Sequence, residues 1–195
     1  VNLIFLELLV MQNASNDFCC SVVIPCFNCS DTVKLTVDSV AHSHNIKSLQ
    51  IICVDDCSSD DTFEQLVALS RCYPIEIVRH NMNLGLSATR NSGIRLTIHP
   101  FITFLDSDDL VSPNSLYYRI KLLKSLANND PFIIGVGCNN QFIYEERTIP
   151  DPIDVLGIEQ NFSVISFLSN GGGCPFDSNG VILRSDYFKD KYNFN

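Results

Sequence analysis

Three carboxylates follow an apolar run in the segment Leu105-Asp106-Ser107-Asp108-Asp109, which we call the acidic turn. Aspartate often caps a helix, but one acceptor satisfies a cap and three carboxylates exceed that need. Carboxylate oxygens are hard ligands suited to Mg²⁺ or Mn²⁺, and these ions commonly keep several waters and bridge to the phosphates of a nucleotide. The acidic turn therefore indicates a site for a metal-bound phosphate ligand, with helix capping as the alternative.

A second acidic pair, Asp55-Asp56, ends another apolar run. Ligands of an open parallel sheet bind at the carboxyl ends of its strands, so we expect both acidic segments to lie at one edge. Two like charges about 4 Å apart cost roughly 4 kcal/mol at an effective dielectric of 20, and a divalent cation would remove that cost. For the neighbouring Ser58, Ser59 and Asp60 we expect only the capping of the next helix.

A glycine at a predicted helix start and a lone arginine further along distinguish the segment 83–93. The guanidinium of Arg90 is a rigid fork of donors that fits phosphate oxygens, and a helix N-terminus adds its own positive dipole. We expect Arg90 to contact a phosphate or base of a bound nucleotide. The alternative is an arginine that is simply solvated on the helix surface.

The elements that must position these residues follow from the hydrophobic pattern, in which short apolar runs alternate with segments of helical period. The predicted strands are residues 21–24, 50–54, 75–78 and 101–105. The predicted helices are residues 31–42, 61–71, 85–98 and 113–128, each following one strand. Strand–helix units in this order predict an α/β fold with a doubly wound, mainly parallel sheet.

The regular alternation of predicted strands and helices ends after Asp130. The sequence predicts a strand at residues 132–136, an irregular hairpin at 138–149, a short helix at 163–168 and a strand at 180–183, with a glycine loop at 171–173 before the last strand. We therefore expect an irregular C-terminal part on an otherwise regular α/β domain.

Composition limits the partners of the chain. Its 195 residues are enough for one sizeable core, and 46% of them are hydrophobic. The formal net charge of −9 disfavours binding to nucleic acid or to an anionic membrane surface. The apolar stretch from Val1 to Val10 contains Glu7 and is too short to span a bilayer, so no transmembrane segment is predicted.

Nine cysteines are many for this length, but the number is odd and several lie within strand-like apolar runs. We interpret them as reduced thiols of a cytoplasmic protein. The alternative is a zinc site formed by Cys26 and Cys29 with Cys53 and Cys57, because two close cysteine pairs can make a tetrahedral thiolate cage.

Taken together, the segments resemble glycosyltransferase family 2, a group of inverting enzymes with the GT-A fold, over residues 20 to about 192. Residues 21–28 (SVVIPCFN) resemble the family's opening strand and its Ile-Pro-x-Tyr-Asn turn, and residues 54–62 (VDDCSSDDT) resemble its Val-Asp-Asp-Gly-Ser motif. Residues 83–93 (NLGLSATRNSG) resemble its Asn-x-Gly-x-x-x-Ala-Arg-Asn-x-Gly segment, and residues 104–109 (FLDSDD) its DxD motif.

The resemblance implies a Rossmann-like GT-A domain and a role for individual residues. Pro25 and Phe27 would line the nucleotide pocket, Asp56 would recognise the base, and Asp106 would lie against the ribose or sugar. Arg90 would contact the nucleotide or its diphosphate. Asp108 would hold the metal.

The implied reaction moves a sugar from a nucleoside-diphosphate sugar, most simply a UDP-sugar, to a hydroxyl of a saccharide or lipid-linked acceptor. It would be a single in-line displacement with inversion, assisted by Mn²⁺ or Mg²⁺. The location implied is cytoplasmic, peripheral to the inner face of the membrane.

The sequence departs from the family pattern in three places. Phe27 replaces the usual Tyr and Thr89 the usual Ala, and Cys57 stands where the family has Gly, which disfavours a positive φ in that turn. No Glu-Asp pair follows Tyr192, so we expect the catalytic base to lie beyond Asn195.

These features predict an N-terminal extension at residues 1–19 and a GT-A domain, truncated at its C-terminus, at residues 20–195. A chain that binds a nucleotide sugar without transferring it remains an alternative. A phosphorylation-dependent receiver domain does not, because residues 78–81 and 137–139 contain neither the aspartate nor the lysine that it would need.

Overall fold

A computed structural model describes residues 18–129, 135–136, 141–144, 147–150 and 181–188. In chain order the strands are β1 (Cys19–Cys26), β2 (Ser48–Asp55), β3 (Ile75–Arg79), β4 (Phe101–Phe104), β5 (Gly135–Val136), β6 (Gln141–Tyr144), β7 (Arg147–Pro150) and β8 (Ile182–Arg184). The helices are α1 (Val33–Ala41), α2 (Thr62–Leu69), α3 (Leu86–Leu96), α4 (Ser115–Asn129) and α5 (Ser185–Phe188).

The strands of the main sheet lie in the order β3-β2-β1-β4-β8-β5. The first four are parallel to one another, and β8 pairs antiparallel with both β4 and β5. In the described part of the chain, β6 and β7 form a separate antiparallel hairpin. The expected α/β fold with a mainly parallel sheet flanked by helices is confirmed.

Both faces of the central strand β1 are covered, which is why its residues are apolar without alternation. Val22 and Ile24 pack in a core cluster with buried residues of α1, α2 and α4. Val23 points to the opposite face, where it packs with Ile94 of α3. Two layers of helices on a parallel sheet result, as the alternation of strands and helices predicted.

Helix α3 approaches β1 closely because its eighth residue, Gly93, has no side chain. A Cβ added to Gly93 would lie 2.2 Å from Cγ1 of Val23, so no larger residue fits without movement of the strand or the helix. The close approach holds the N-terminal half of α3, which carries Arg90, against the carboxyl edge of the sheet.

The four predicted strand–helix units are present, with ends that differ by a few residues. The largest difference is β1, which begins earlier and continues through Pro25. Proline has no N–H for a ladder bond, but β1 pairs with β4 only as far as Val23, and Leu105 donates the next backbone bond to Val23. The backbone N–H that Pro25 lacks would point to the β4 side of the strand, where the pairing with β4 has already ended. No hydrogen bond of the sheet is therefore lost.

The C-terminal expectations are tested only in part. Residues 135–136 form a strand, the predicted hairpin is present as β6 and β7, and the last predicted strand is present as β8. The predicted helix at 163–168 and the glycine loop at 171–173 lie outside the described residues. Over the ranges that the structure does describe, no helix combines the length and apolarity needed to cross a bilayer.

Candidate functional site

The candidate site lies at the carboxyl edge of the parallel strands, where the loops after β1, β2, β3 and β4 meet. Three hydrogen bonds, each from a backbone amide to a side chain, join the loops after β1 and β2. The amide of Asn28 donates to Ser58 Oγ (3.0 Å), that of Ser59 to Asn28 Oδ1 (2.8 Å) and that of Ser30 to Asp60 Oδ2 (3.1 Å). These contacts make one rigid unit of the two strand ends.

Of the three residues expected only to cap α2, one does so. Asp60 Oδ1 accepts the amide of Thr62, the first residue of the helix, at 3.1 Å. Ser58 and Ser59 bond to Asn28 instead, so the capping prediction is wrong for them. Burial opposes ionisation of Asp60, but hydrogen bonds from Thr62 and Ser30 outweigh it and lower its pKa to about 2.

The two residues expected to line a nucleotide pocket from β1 differ in exposure. Pro25 is buried within the strand, in register with Val54 of β2. Phe27, two residues later, leaves half of its surface (50%) exposed at the sheet edge. An exposed aromatic ring beside polar loops is available for contact with a planar ligand. Pro25 is buried, so it can affect a ligand only by setting the backbone conformation at the strand end.

The paired carboxylates at the end of β2 serve different partners. Asp55 is fully buried; its Oδ1 accepts the Ser58 amide (3.1 Å), and its Oδ2 lies 3.1 Å from Nε of Arg79. The Arg79 guanidinium also donates to the Ser58 carbonyl (3.2 Å) and lies 4.4 Å from the centroid of the Phe63 ring. Asp55 therefore holds the turn that follows β2 and is not available to a ligand.

Asp56 binds the loop that precedes α3. Its Oδ1 accepts the amide of Leu84 (2.9 Å) and contacts Nδ1 of His80 (2.6 Å), and its Oδ2 accepts the amide of Gly85 (2.7 Å). Burial disfavours the charge of Asp56, but the bonds from His80 and the two amides outweigh it and lower its pKa. The carboxylate is thus charged, almost fully buried and fixed by donors from two other elements.

Cys57 occupies the position where a glycine was expected. Its φ is +63°, so the turn keeps the left-handed conformation although the residue carries a side chain. An L-residue in this region costs roughly 1–2 kcal/mol relative to the right-handed region. The bonds made by its neighbours Asp55, Asp56 and Ser58 maintain the conformation against that cost.

The loop before α3 depends on a glycine in an unusual conformation. Gly85 has φ +84° and ψ 165°, a region that is open essentially only to glycine. Its carbonyl accepts bonds from both the amide (3.1 Å) and the hydroxyl (2.8 Å) of Thr89, which is buried. The replacement of the expected alanine by Thr89 is therefore accommodated by an added bond to the helix start.

Arg90 and Asp106 contact each other, with Nη2 of Arg90 3.0 Å from Oδ1 of Asp106. The arginine side chain is only 11% exposed, and its Cζ lies 5.7 Å from the centroid of the Phe104 ring. The alternative of a solvated surface arginine is wrong. The ion pair instead joins α3 to the acidic turn.

The acidic turn is closed by a backbone bond from Asp109 to the carbonyl of Asp106 (3.0 Å). Thr36 of α1 donates its hydroxyl to the carbonyl of Ser107 (2.8 Å), which anchors the turn to the first helix. Asp108 is exposed, and within the described residues nothing bonds to its carboxylate. A carboxylate of this kind has the donor chemistry that Mg²⁺ or Mn²⁺ requires.

The expectation that all five carboxylates share one metal-relieved cluster is not met. Asp55 pairs with Arg79, Asp56 accepts hydrogen bonds from two amides and His80, and Asp106 pairs with Arg90. Among the described residues, no group of three or more histidine, cysteine, aspartate or glutamate side chains could hold a metal ion by itself. A cation at Asp108 would need further ligands from outside this set, which the phosphates of a nucleotide supply.

The same finding excludes the alternative of a zinc site formed by Cys26, Cys29, Cys53 and Cys57. All four lie in the part of the chain that the structure describes, and all four are free cysteines. Cys26 contacts Cys29 and Cys53, and these thiol contacts together with burial raise its pKa. The contact from Cys26, together with hydrogen bonds from Ser107 and Thr62, lowers the pKa of Cys29 to about 6, although burial opposes the shift. Cys26, Cys29 and Cys53 belong to the core cluster beneath the site.

The structure thus brings Phe27, Asp56, Arg90, Asp106 and Asp108 to one edge of the sheet, although only Arg90 and Asp106 touch. Sequence reasoning missed His80, whose ring contacts Asp56. The signal that could have identified it is its position directly after β3, at the same strand edge as the acidic segments.

The comparisons with known proteins agree with this geometry. The model of "Glycosyl transferase family 2" matches residues 21–183, more than four-fifths of the chain. The chain is 32% identical over 175 residues to the amylovoran biosynthesis glycosyltransferase AmsB of Erwinia amylovora, a match that covers 87% of this chain and 57% of AmsB. It is 36% identical over 89 residues to the Escherichia coli UDP-Glc:alpha-D-GlcNAc-diphosphoundecaprenol beta-1,3-glucosyltransferase WfaP, which covers 46% of this chain and 35% of WfaP.

Solved structures show the same fold at lower identity. The first 349 residues of TarS from S. aureus superpose with a TM-score of 0.59 at 19% identity, covering 88% of this chain and 48% of that one. The mannosyltransferase PcManGT from Pyrobaculum calidifontis gives a TM-score of 0.55 at 20% identity, covering 61% of this chain and 34% of that one. The chain therefore spans about half the length of these relatives or less.

Proposed function

Because this chain belongs to glycosyltransferase family 2, we propose that it transfers a sugar from a nucleoside-diphosphate sugar to an acceptor hydroxyl, with inversion at the anomeric carbon. The reaction is a single displacement: a base takes the proton of the acceptor hydroxyl, the oxygen attacks the anomeric carbon, and the nucleoside diphosphate leaves. The part of the chain described here binds the donor.

The observation that carries this proposal is the pairing of Arg90 with Asp106 beside the exposed carboxylate of Asp108. The pair fixes the acidic turn, so that Asp108 projects from a defined position at the end of β4. A divalent cation held by Asp108 and the diphosphate, Mn²⁺ or Mg²⁺, would offset the negative charge that develops on the leaving group.

The remaining residues recognise the nucleotide. Asp56 accepts an N–H of the base, the ring of Phe27 packs against it, and Pro25 shapes the strand end that carries both. Asp106 lies against the ribose or the sugar, and Arg90 orients Asp106 and contacts the nucleotide. Each assignment is supported by the placement of these residues at one sheet edge.

The donor is a UDP-sugar and the acceptor a saccharide or a lipid-linked saccharide. Similarity to WfaP, which is named for UDP-glucose and a diphosphoundecaprenol-linked acceptor, supports both choices. TarS has been solved in complex with UDP-GlcNAc, and PcManGT with GDP-mannose and Mn²⁺. We further propose a role in polysaccharide biosynthesis, in the cytoplasm at the inner face of the membrane.

Thermal unfolding of the full chain with UDP, GDP, CDP and ADP, each with and without Mn²⁺, tests the proposal, because a ligand that binds only the folded state raises the unfolding temperature. We expect UDP with Mn²⁺ to stabilise the wild type and to stabilise Asp108→Ala much less. Asp186→Ala, a change at an exposed aspartate on α5, is the control and should keep the effect. No metal-dependent stabilisation by any nucleotide would refute the proposal.

A further inference from the structure

His80 bonds to Asp56 in a position screened from water. The ring nitrogen Nδ1 lies 2.6 Å from Asp56 Oδ1, and the two side chains are only 9% and 4% exposed. The backbone adds to the contact, because the amide of His80 donates to the carbonyl of Asp55 (2.9 Å). A short bond from a buried donor to a carboxylate belongs to the stronger class of hydrogen bonds.

The second nitrogen of His80 is also engaged. Nη2 of Arg95 donates to Ser92 Oγ at 2.9 Å, and Ser92 Oγ lies 2.9 Å from Nε2 of His80. These contacts hold the ring in its orientation. Because the ionised carboxylate of Asp56 can only accept, Nδ1 of His80 carries a hydrogen and donates it to Asp56.

Asp56 has one acceptor position left after these bonds are counted. Oδ1 receives two donors, the amide of Leu84 and His80, whereas Oδ2 receives one, the amide of Gly85. A carboxylate oxygen accepts two hydrogen bonds, so the remaining position is on Oδ2. Without His80, Oδ1 would also have an open position, so either oxygen of the carboxylate could accept an N–H of the base.

We propose that His80 is a positioning residue for nucleotide recognition: by occupying Oδ1 of Asp56 it directs Oδ2 to an N–H of the bound base. The inference rests on the proposed function, in which Asp56 contacts the base. His80 itself touches no substrate and acts only through Asp56. The chain from Arg95 through Ser92 fixes the ring so that Nδ1, and not Nε2, meets the carboxylate.

Two replacements of similar size separate the two nitrogens of the ring. Asparagine carries an amide donor near the position of Nδ1, whereas glutamine carries it near the position of Nε2. We expect His80→Asn to keep the affinity for UDP with Mn²⁺ within about threefold of the wild type. We expect His80→Gln and His80→Ala to weaken it about tenfold or more, because a hydrogen bond to a charged group is lost.

A phosphate-only ligand tests whether the effect falls on the base. Inorganic pyrophosphate with Mn²⁺ has no base, so its affinity should be the same in the wild type and in all three variants. His99→Gln is the control, because His99 contacts a serine, Ser48, at the opposite end of the sheet and should leave UDP binding unchanged. Thermal unfolding without ligand reports any general loss of stability in each variant.

The outcomes are distinct. Equal UDP affinity in His80→Asn and His80→Gln overturns the positioning role, whether both match the wild type or both match His80→Ala. A parallel loss of UDP and pyrophosphate affinity in His80→Gln also overturns it. If the wild type binds neither UDP nor GDP, the proposed function fails as well, whereas a binding wild type with equal variants refutes only the role of His80.

Discussion

Gly85 offers the sharpest test of how the loop before α3 is held. Its φ of +84° and ψ of 165° lie in a region open essentially only to glycine, and a Cβ added there would meet no atom within 4 Å. Steric crowding therefore contributes nothing, and the whole effect of Gly85→Ala comes from the backbone. A residue held in such a region costs about 1–3 kcal/mol.

Loss of the hydrogen bond from the amide of residue 85 to Asp56 would place the destabilisation in the upper part of that range. If the alanine backbone relaxes, the amide of residue 85 moves away from Asp56 Oδ2, from which it is now 2.7 Å. A bond to a charged group contributes about 1.5–3 kcal/mol, so relaxation does not avoid the loss. For a chain of this size we expect the unfolding temperature to fall by about 2–10 °C.

Urea unfolding of Gly85→Ala against the wild type measures the loss directly, with Leu84→Ala as the control. Leu84 is 52% exposed and also donates its amide to Asp56, so its truncation should change stability by less than about 0.5 kcal/mol. Combining Gly85→Ala with Asp56→Asn should give less than the sum of the single losses, because both act on one contact. A neutral Gly85→Ala, or strict additivity, would refute the reasoning.

Other changes test the packing and charge around the site. Gly93→Ala, which brings a Cβ to 2.2 Å from Val23, should cost about 1–3 kcal/mol in urea unfolding, and adding Val23→Ala should recover part of the loss. Cys57→Gly should raise the unfolding temperature by up to a few degrees, because relief of about 1–2 kcal/mol of left-handed strain exceeds the flexibility cost of glycine; Cys72→Gly, at an exposed cysteine without positive φ, should lower it. The fold lowers the pKa of Asp60 from 3.8 to about 2. Its charged carboxylate therefore contributes fully to the free energy of unfolding above about pH 4, and this contribution is lost as the pH falls toward 2. Asp60→Asn should therefore flatten the stability profile in that window, and an unchanged profile would contradict the assignment.

The order of strands and helices could be predicted because each depends on local pattern. Apolar runs such as residues 21–24 and 50–54 identify buried strands, and the helical periodicity between them leaves few arrangements other than a parallel sheet. The predicted end of β1 at residue 24 is two residues short, because a local rule about proline does not include where the neighbouring strand stops. The position of β8, antiparallel between β4 and β5, also depends on distant pairing that no local pattern specifies.

The candidate site was predictable in its residues but not in its contacts. Acidic residues after strands marked the edge of the sheet correctly, since strand ends of one sheet meet at one edge. The sequence does not distinguish Asp55, buried against Arg79, from Asp56, which binds the loop before α3. Apart from the Ser58 amide, the donors that these two carboxylates meet lie 24 to 29 residues away along the chain, so only the fold decides which carboxylate meets which of them.

The sequence by itself determined the family, the alternation of strands and helices, and the residue types at the sheet edge. The tertiary structure decided which partner each carboxylate at the sheet edge meets. It also added His80, which belongs to none of the sequence motifs. The physical reason is that residue type sets which bonds a side chain can make, whereas burial and distance set which of them it does make. Arg90 illustrates both, because its donors fit phosphate or carboxylate alike and packing against Phe104 places them on Asp106.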